Sequence, residues 1–134
     1  MKIKTDFVTN SSSTSFVVMT RGELTLNVFL KAVGVSNDSM FRSLFVKLFD
    51  IFKNDMNKLE DMSIRYGCNS VNEYIDQYYS KETQARIYKA QKEGFDIYVG
   101  KLHSDNDEIE TLFCCDSFVI EGDKLIIDAT QDAW

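Results

Sequence analysis

The repeat of apolar residues changes twice along this 134-residue chain, and that double change constrains the fold more than any other feature. In residues 2–8, Ile3, Thr5 and Phe7 fall on one face of an extended segment and Lys2, Lys4, Asp6 and Val8 on the other. Residues 16–19 form a second β-branched and aromatic run. From 24 onward the spacing becomes three and four: Leu26, Phe29, Leu30 and Val33, then Phe41, Leu44, Phe45, Leu48, Phe49, Phe52, Met56 and Leu59. Alternation returns at 95–102, and short apolar runs follow at 118–121 and 124–128 on either side of Gly122-Asp123. A period of two marks strands and a period of 3.6 marks helices, so a helical block stands between two strand-forming ends.

Local signals set the expected boundaries. Asn10-Ser11-Ser12-Ser13 is turn chemistry and predicts an N-terminal hairpin joining the first two strands. Gly34 suits the C-cap of a helix over 24–33. Ser36-Asn37-Asp38 offers an N-cap for a long helix to about Leu59. Ser70-Val71-Asn72-Glu73 reads as a capping box, Ser80-Lys81-Glu82 as another helix start, and Lys92-Glu93-Gly94 as its end. Gly100 in the following strand marks a bulge or a close approach. Ile109, Leu112 and Phe113 fit a short helix after Asp105-Asn106-Asp107-Glu108. Gly122-Asp123 predicts a type II′ hairpin with Glu121 opposite Lys124. No repeat or linker divides residues 1–134. The expectation is a single α+β domain of about five strands and five helices around one core: an N-terminal β-hairpin, a central helical block and C-terminal strands.

Composition excludes several classes of function. The formal charge is −6 and the pI about 4.7, whereas general nucleic-acid binders and anionic-membrane binders need a positive excess. The acidity is local: residues 105–134 hold nine acids against Lys124 alone. The chain has no proline, although average usage predicts about seven, so Gly, Asn, Asp and Ser must make the turns. Cys68, Cys114 and Cys115 are odd in number and lack CxxC spacing, which fits a reducing cytoplasmic setting better than a disulfide framework. Asp6 and the polar run 9–15 interrupt any signal-peptide core. The most apolar window, 40–52, contains Arg42, Lys47 and Asp50 and is too short to span a bilayer.

The segment Asp6-Phe7-Val8-Thr9-Asn10-Ser11-Ser12-Ser13-Thr14-Ser15-Phe16 resembles a DFVTNSSSxSF motif at the N-terminus of assorted short bacterial and phage proteins. The resemblance covers about a dozen residues and implies no activity. Chemically, Asn10, Ser11, Ser12, Ser13, Thr14 and Ser15 could cradle a phosphate or carboxylate through hydroxyls and backbone N–H groups, or bond their own backbone in a turn. No GxxxxGK[ST] or GxGxxG string accompanies them. His103 is the single histidine and the weak candidate for acid–base chemistry. A nucleophilic pair would require a cysteine or a serine beside it.

The carboxylates Asp105, Asp107, Glu108 and Glu110 alternate as in a calcium loop. Ile109 stands where an oxygen ligand is required and Glu110 where glycine is required, so a helix N-terminus suits them better. No metal or other cofactor is expected. Cys114 and Cys115, near a helix end that disfavours thiolate, read as buried small side chains. Tyr74, Tyr78, Tyr79 and Tyr88 suit either an aromatic docking surface or core packing. Trp134 is either tucked back or an exposed anchor. With no catalytic constellation, the expectation is a non-catalytic protein-binding or regulatory module docking through Asp105, Asp107, Glu108, Glu110 and Trp134. The alternative is a ligand-binding domain or enzyme for a phosphorylated or anionic small molecule, using the serine-rich turn and His103.

Overall fold

A computed structural model describes residues 2–4, 13–103 and 117–133. The predicted turn at Asn10, Ser11 and Ser12, the helix after Asp105, Cys114, Cys115 and Trp134 lie outside the described residues. The strands are β1 (Lys2–Lys4), β2 (Ser13–Thr20), β3 (Asn57–Lys58), β4 (Asp96–His103), β5 (Ser117–Glu121) and β6 (Leu125–Ala133). The helices are α1 (Leu26–Val33), α2 (Arg42–Asp55), α3 (Leu59–Arg65), α4 (Val71–Tyr78) and α5 (Lys81–Lys92). One sheet holds all six strands in the order β1-β5-β6-β2-β4-β3, and every neighbouring pair is antiparallel. The fold is α+β, and no described helix is long and apolar enough to cross a membrane.

The unbroken run Phe16-Val17-Val18-Met19 shows why β2 is central. Phe16 and Val18 pack with α1 and α2 on one face of the sheet, around Phe29, Leu48 and Phe52. Val17 and Met19 pack on the other face with α3, α4 and α5, around Leu59, Ile75 and Ile87. All four are at most 1% exposed. A strand buried on both faces needs apolar residues at consecutive positions. The molecule is thus a three-layer arrangement with two apolar clusters, in place of the single core expected. On the α1–α2 side, Phe16 meets Phe52 edge to face with ring centroids 4.8 Å apart, a favourable aromatic geometry.

The N-terminal pairing differs from the expectation. β1 pairs with β5, Ile3 opposite Phe118, and β2 has its two edges taken by β6 and β4. A strand has only two hydrogen-bonding edges, so β1 cannot form a hairpin with β2 and completes the far edge of the sheet instead.

The long helix predicted to Leu59 also breaks. α2 ends at Asp55, Met56 is extended, and Asn57–Lys58 pair with Val99 and Tyr98 of β4 before α3 begins. Leu48 and Phe52 are buried on one face of the sheet and Leu59 on the other. A straight helix cannot reach both faces, so the chain rounds the sheet edge as β3. The start of α2 is corrected too: Phe41 is its N-cap residue, without a side-chain cap, and Ser39 Oγ accepts from the Phe41 N–H at 3.1 Å.

Other boundaries follow local chemistry. Thr25 Oγ1 accepts from Val28 N at 3.3 Å, and Gly34 closes α1 in the left-handed conformation. Ser70 Oγ accepts from Glu73 N, and Glu73 Oε2 accepts from Asn69 N, a capping box displaced by one residue on its return bond. Ser80 Oγ caps α5 through Thr83 N.

The C-terminal hairpin forms, but its register is not the expected one. Glu121 faces Ile126, Gly122 N donates to Leu125 O at 2.7 Å, and Gly122 does not have a positive φ. A type II′ turn requires one. A Cβ on Gly122 would lie 3.1 Å from Ala32 Cβ, a tight contact, so the turn rests directly on α1. Gly100 makes the closer approach. Its Cβ would fall 2.4 Å from Phe16 Cζ and 2.6 Å from the Asp55 carbonyl oxygen.

Candidate functional site

Three of the residues singled out in the serine run do not sit in a turn. Ser13, Thr14 and Ser15 open β2, where each has a partner in β4 and another in β6. Thr14 is 2% exposed and Ser15 half-buried. Antiparallel ladders on both sides engage backbone N–H and C=O groups that a turn would leave open to a ligand.

The register gathers the candidates nonetheless. Ser13 stands opposite His103, the last residue of β4, and opposite Ala133, the last residue of β6. Asp105 is two residues beyond His103, and Trp134 directly follows Ala133. Asp105, Asp107, Glu108 and Glu110 themselves lie outside the described residues. One end of the sheet is therefore where β2 begins at Ser13, where β4 ends at His103 and where β6 ends at Ala133.

The tyrosines divide between core and surface. Tyr74 and Tyr79 are buried, whereas Tyr66 and Tyr78 are exposed. Tyr66 and Tyr78 both pack edge or tilted against neighbours in this group, their ring centroids 5.2 Å apart. Burial raises the Tyr74 phenol above the ordinary tyrosine value against the lowering effect of its hydrogen bond with Tyr79, and pushes the Tyr79 phenol well above it, with the charge that a neighbouring tyrosinate would carry adding to the effect. Tyr88 donates to Asp76 Oδ1 at 2.8 Å and belongs to a separate contact. Cys68 is half-buried and free.

The sequence reading missed a polar cluster around Asp128, which is 1% exposed. Between Ser15 and Val17 the register of β2 on β6 shifts, so Ala129 and Thr130 together oppose Phe16 in a bulge. Asp128 Oδ1 accepts from Thr130 N at 3.1 Å and from Thr130 Oγ1 at 2.6 Å. Its other oxygen accepts from Thr83 Oγ1 at 3.1 Å and from Arg86 at 2.8 Å. Arg86 also reaches Glu82 at 3.0 Å. Desolvation works against the Arg86 charge, but hydrogen bonding and attraction from Asp128, with Glu82, outweigh it and hold its pKa above the ordinary value. The carboxylate is fully engaged, so the cluster fastens α5 to β6 and has no free group for chemistry. The available signal was a lone Asp interrupting the apolar run at 125–129.

Among the described residues, no group of three or more His, Cys, Asp and Glu is placed to hold a metal ion. Comparison with protein-family models, with curated proteins and with solved structures yields no match to this chain. The fold and the converging segments are accordingly the whole basis for a functional reading.

Proposed function

We propose that this protein is a non-catalytic module that docks on a cytoplasmic protein partner through one end of its sheet. The acidic segment 105–110 supplies charge complementarity and Trp134 an aromatic anchor. The register of β2 carries the reading: Ser13 lies opposite both His103 and Ala133. His103 and Ala133, the described residues that precede the acidic segment and Trp134 in sequence, therefore lie at the same end of the sheet. Acidic charge together with an aromatic anchor is the chemistry of a protein interface, in which charge sets the rate and selectivity of encounter and the aromatic residue supplies affinity.

The test is affinity capture from the native host with quantification of bound proteins. Four forms are compared: wild type, Asp105→Asn/Asp107→Asn/Glu108→Gln/Glu110→Gln, Trp134→Ala, and Ser11→Ala/Ser12→Ala/Ser13→Ala. A partner weakened by raised salt, lost from the acidic and Trp134 variants and retained by the serine variant supports the reading. An unchanged set of bound proteins across all four forms overturns it.

The same register supports a second reading, recognition of a phosphorylated or other anionic small molecule by Asn10 to Ser15 with His103 as acid or base. Native mass spectrometry of protein isolated from the host distinguishes the two. An anionic adduct lost in both Ser13→Ala and His103→Ala favours this second reading, and its absence favours docking.

A further inference from the structure

At the other end of the sheet, the β5–β6 turn lies against α1. Because Gly122 has no Cβ to hold it off Ala32, the hairpin backbone approaches the helix closely. A groove of about 350 Å³ runs between the two elements. Its apolar floor is formed by Val28, Ala32 and Leu125, and its rim carries Lys31, Lys124, Glu121 and Asp123. All four rim side chains are exposed.

The register of the hairpin determines the character of that rim. Had Glu121 stood opposite Lys124, the two would have neutralised each other across the strands. Instead Glu121 faces Ile126, and among the described residues the ion pairs formed are those of Arg86 with Glu82 and Asp128. The groove is therefore bordered by two cations and two carboxylates that are not paired with one another. A ligand of one sign would meet as much repulsion as attraction. A ligand carrying both signs would satisfy both, and the volume lies at the small end of the range of roughly 300–1,000 Å³ for small-molecule sites.

We propose that this groove binds a zwitterion of dipeptide size. Its ammonium group lies toward Glu121 and Asp123, its carboxylate toward Lys31 and Lys124, and an apolar side chain over Val28, Ala32 and Leu125. The site is independent of the docking end. β2 runs from Ser13 to Thr20, and Thr20 stands opposite Leu125, which separates the two ends by about 23 Å at strand rise.

The test is a backbone-amide NMR titration of the full chain with alanyl-leucine, using its N-acetylated and C-amidated forms as controls. The expected result is saturable shifts confined to residues 27–32 and 121–125, with a dissociation constant of about a millimolar. Each capped form, Lys31→Gln/Lys124→Gln, and Glu121→Gln/Asp123→Asn should each weaken binding about tenfold. These exposed substitutions should leave amide shifts elsewhere in the spectrum unchanged, which separates lost binding from lost fold. Absence of saturable shifts up to about 10 mM, equal binding of all three probe forms, or shifts located away from the groove would each overturn the proposal. None of these outcomes bears on the docking end.

Discussion

At the scale of single residues, glycine is required by crowding at Gly100 and by backbone conformation at Gly34. Gly34 has φ 79°, in the left-handed region. Gly100 has no positive φ; it is glycine because the Phe16 ring and the Asp55 carbonyl occupy the place of a Cβ. Turning the ring leaves Cζ in place because that atom lies on the rotation axis, and the carbonyl belongs to the end of α2 and cannot move without it. Gly100→Ala is therefore expected to destabilise the protein by about 3 kcal/mol, measured as a fall in urea midpoint with unchanged slope. The alternation at 95–102 made this position visible in the sequence as a bulge or a close approach. It did not reveal which, because the atoms that fill the space come from β2 and α2.

At the scale of elements, the Asp128 cluster couples α5 to the bulged strand β6. Removing Arg86 leaves a buried carboxylate without its counter-charge, whereas removing both partners takes the charge away as well and leaves only the Thr83 hydroxyl and the Thr130 N–H and hydroxyl to re-pair. Arg86→Met is expected to cost about 3–5 kcal/mol. Arg86→Met/Asp128→Leu should recover most of that loss, the two compared by urea unfolding in a double-mutant cycle. A double variant no more stable than Arg86→Met would show that the threonine hydroxyls, and not the charge, dominate the site. The Ser70 and Ser80 caps were legible because each bond closes within three residues. The contact of Asp128 with Arg86 spans 42 positions, and no local pattern encodes it. The same limit applies to the candidate site. The serine run and His103 stood out as types of residue, but their apposition follows from the pairing of β2 with β4.

At the scale of the whole molecule, the two apolar clusters differ in the buried phenols they hold. Tyr74 and Tyr79 belong to the α3–α5 side, and both phenols are raised above the ordinary value, principally by burial. In the unfolded chain they ionise near pH 10, while the folded state keeps them protonated. Their contribution to stability is therefore complete below about pH 10 and is lost as pH rises through their folded-state values, because ionisation then favours the unfolded chain. Urea midpoints should be flat with respect to these two groups below about pH 10 and fall above it. The tyrosinate absorbance should show a late phase that coincides with unfolding. Tyr74→Phe/Tyr79→Phe should reduce that alkaline fall, and an unreduced fall would assign it to other groups.

Local sequence was enough for the class of fold, for the helical block between strand-forming ends, and for the end of α1, the start of α4 and both ends of α5, because periodicity and capping act within a few residues of chain. The tertiary structure decided four things: the pairing of β1 with β5, the break between α2 and α3, the register of the β5–β6 hairpin, and the meeting of Ser13 with His103 and Ala133 at one end of the sheet. Each depends on which strand edges are already occupied and which face of the sheet an apolar side chain must reach. Those are properties of distant segments brought together, and a one-dimensional pattern does not carry them.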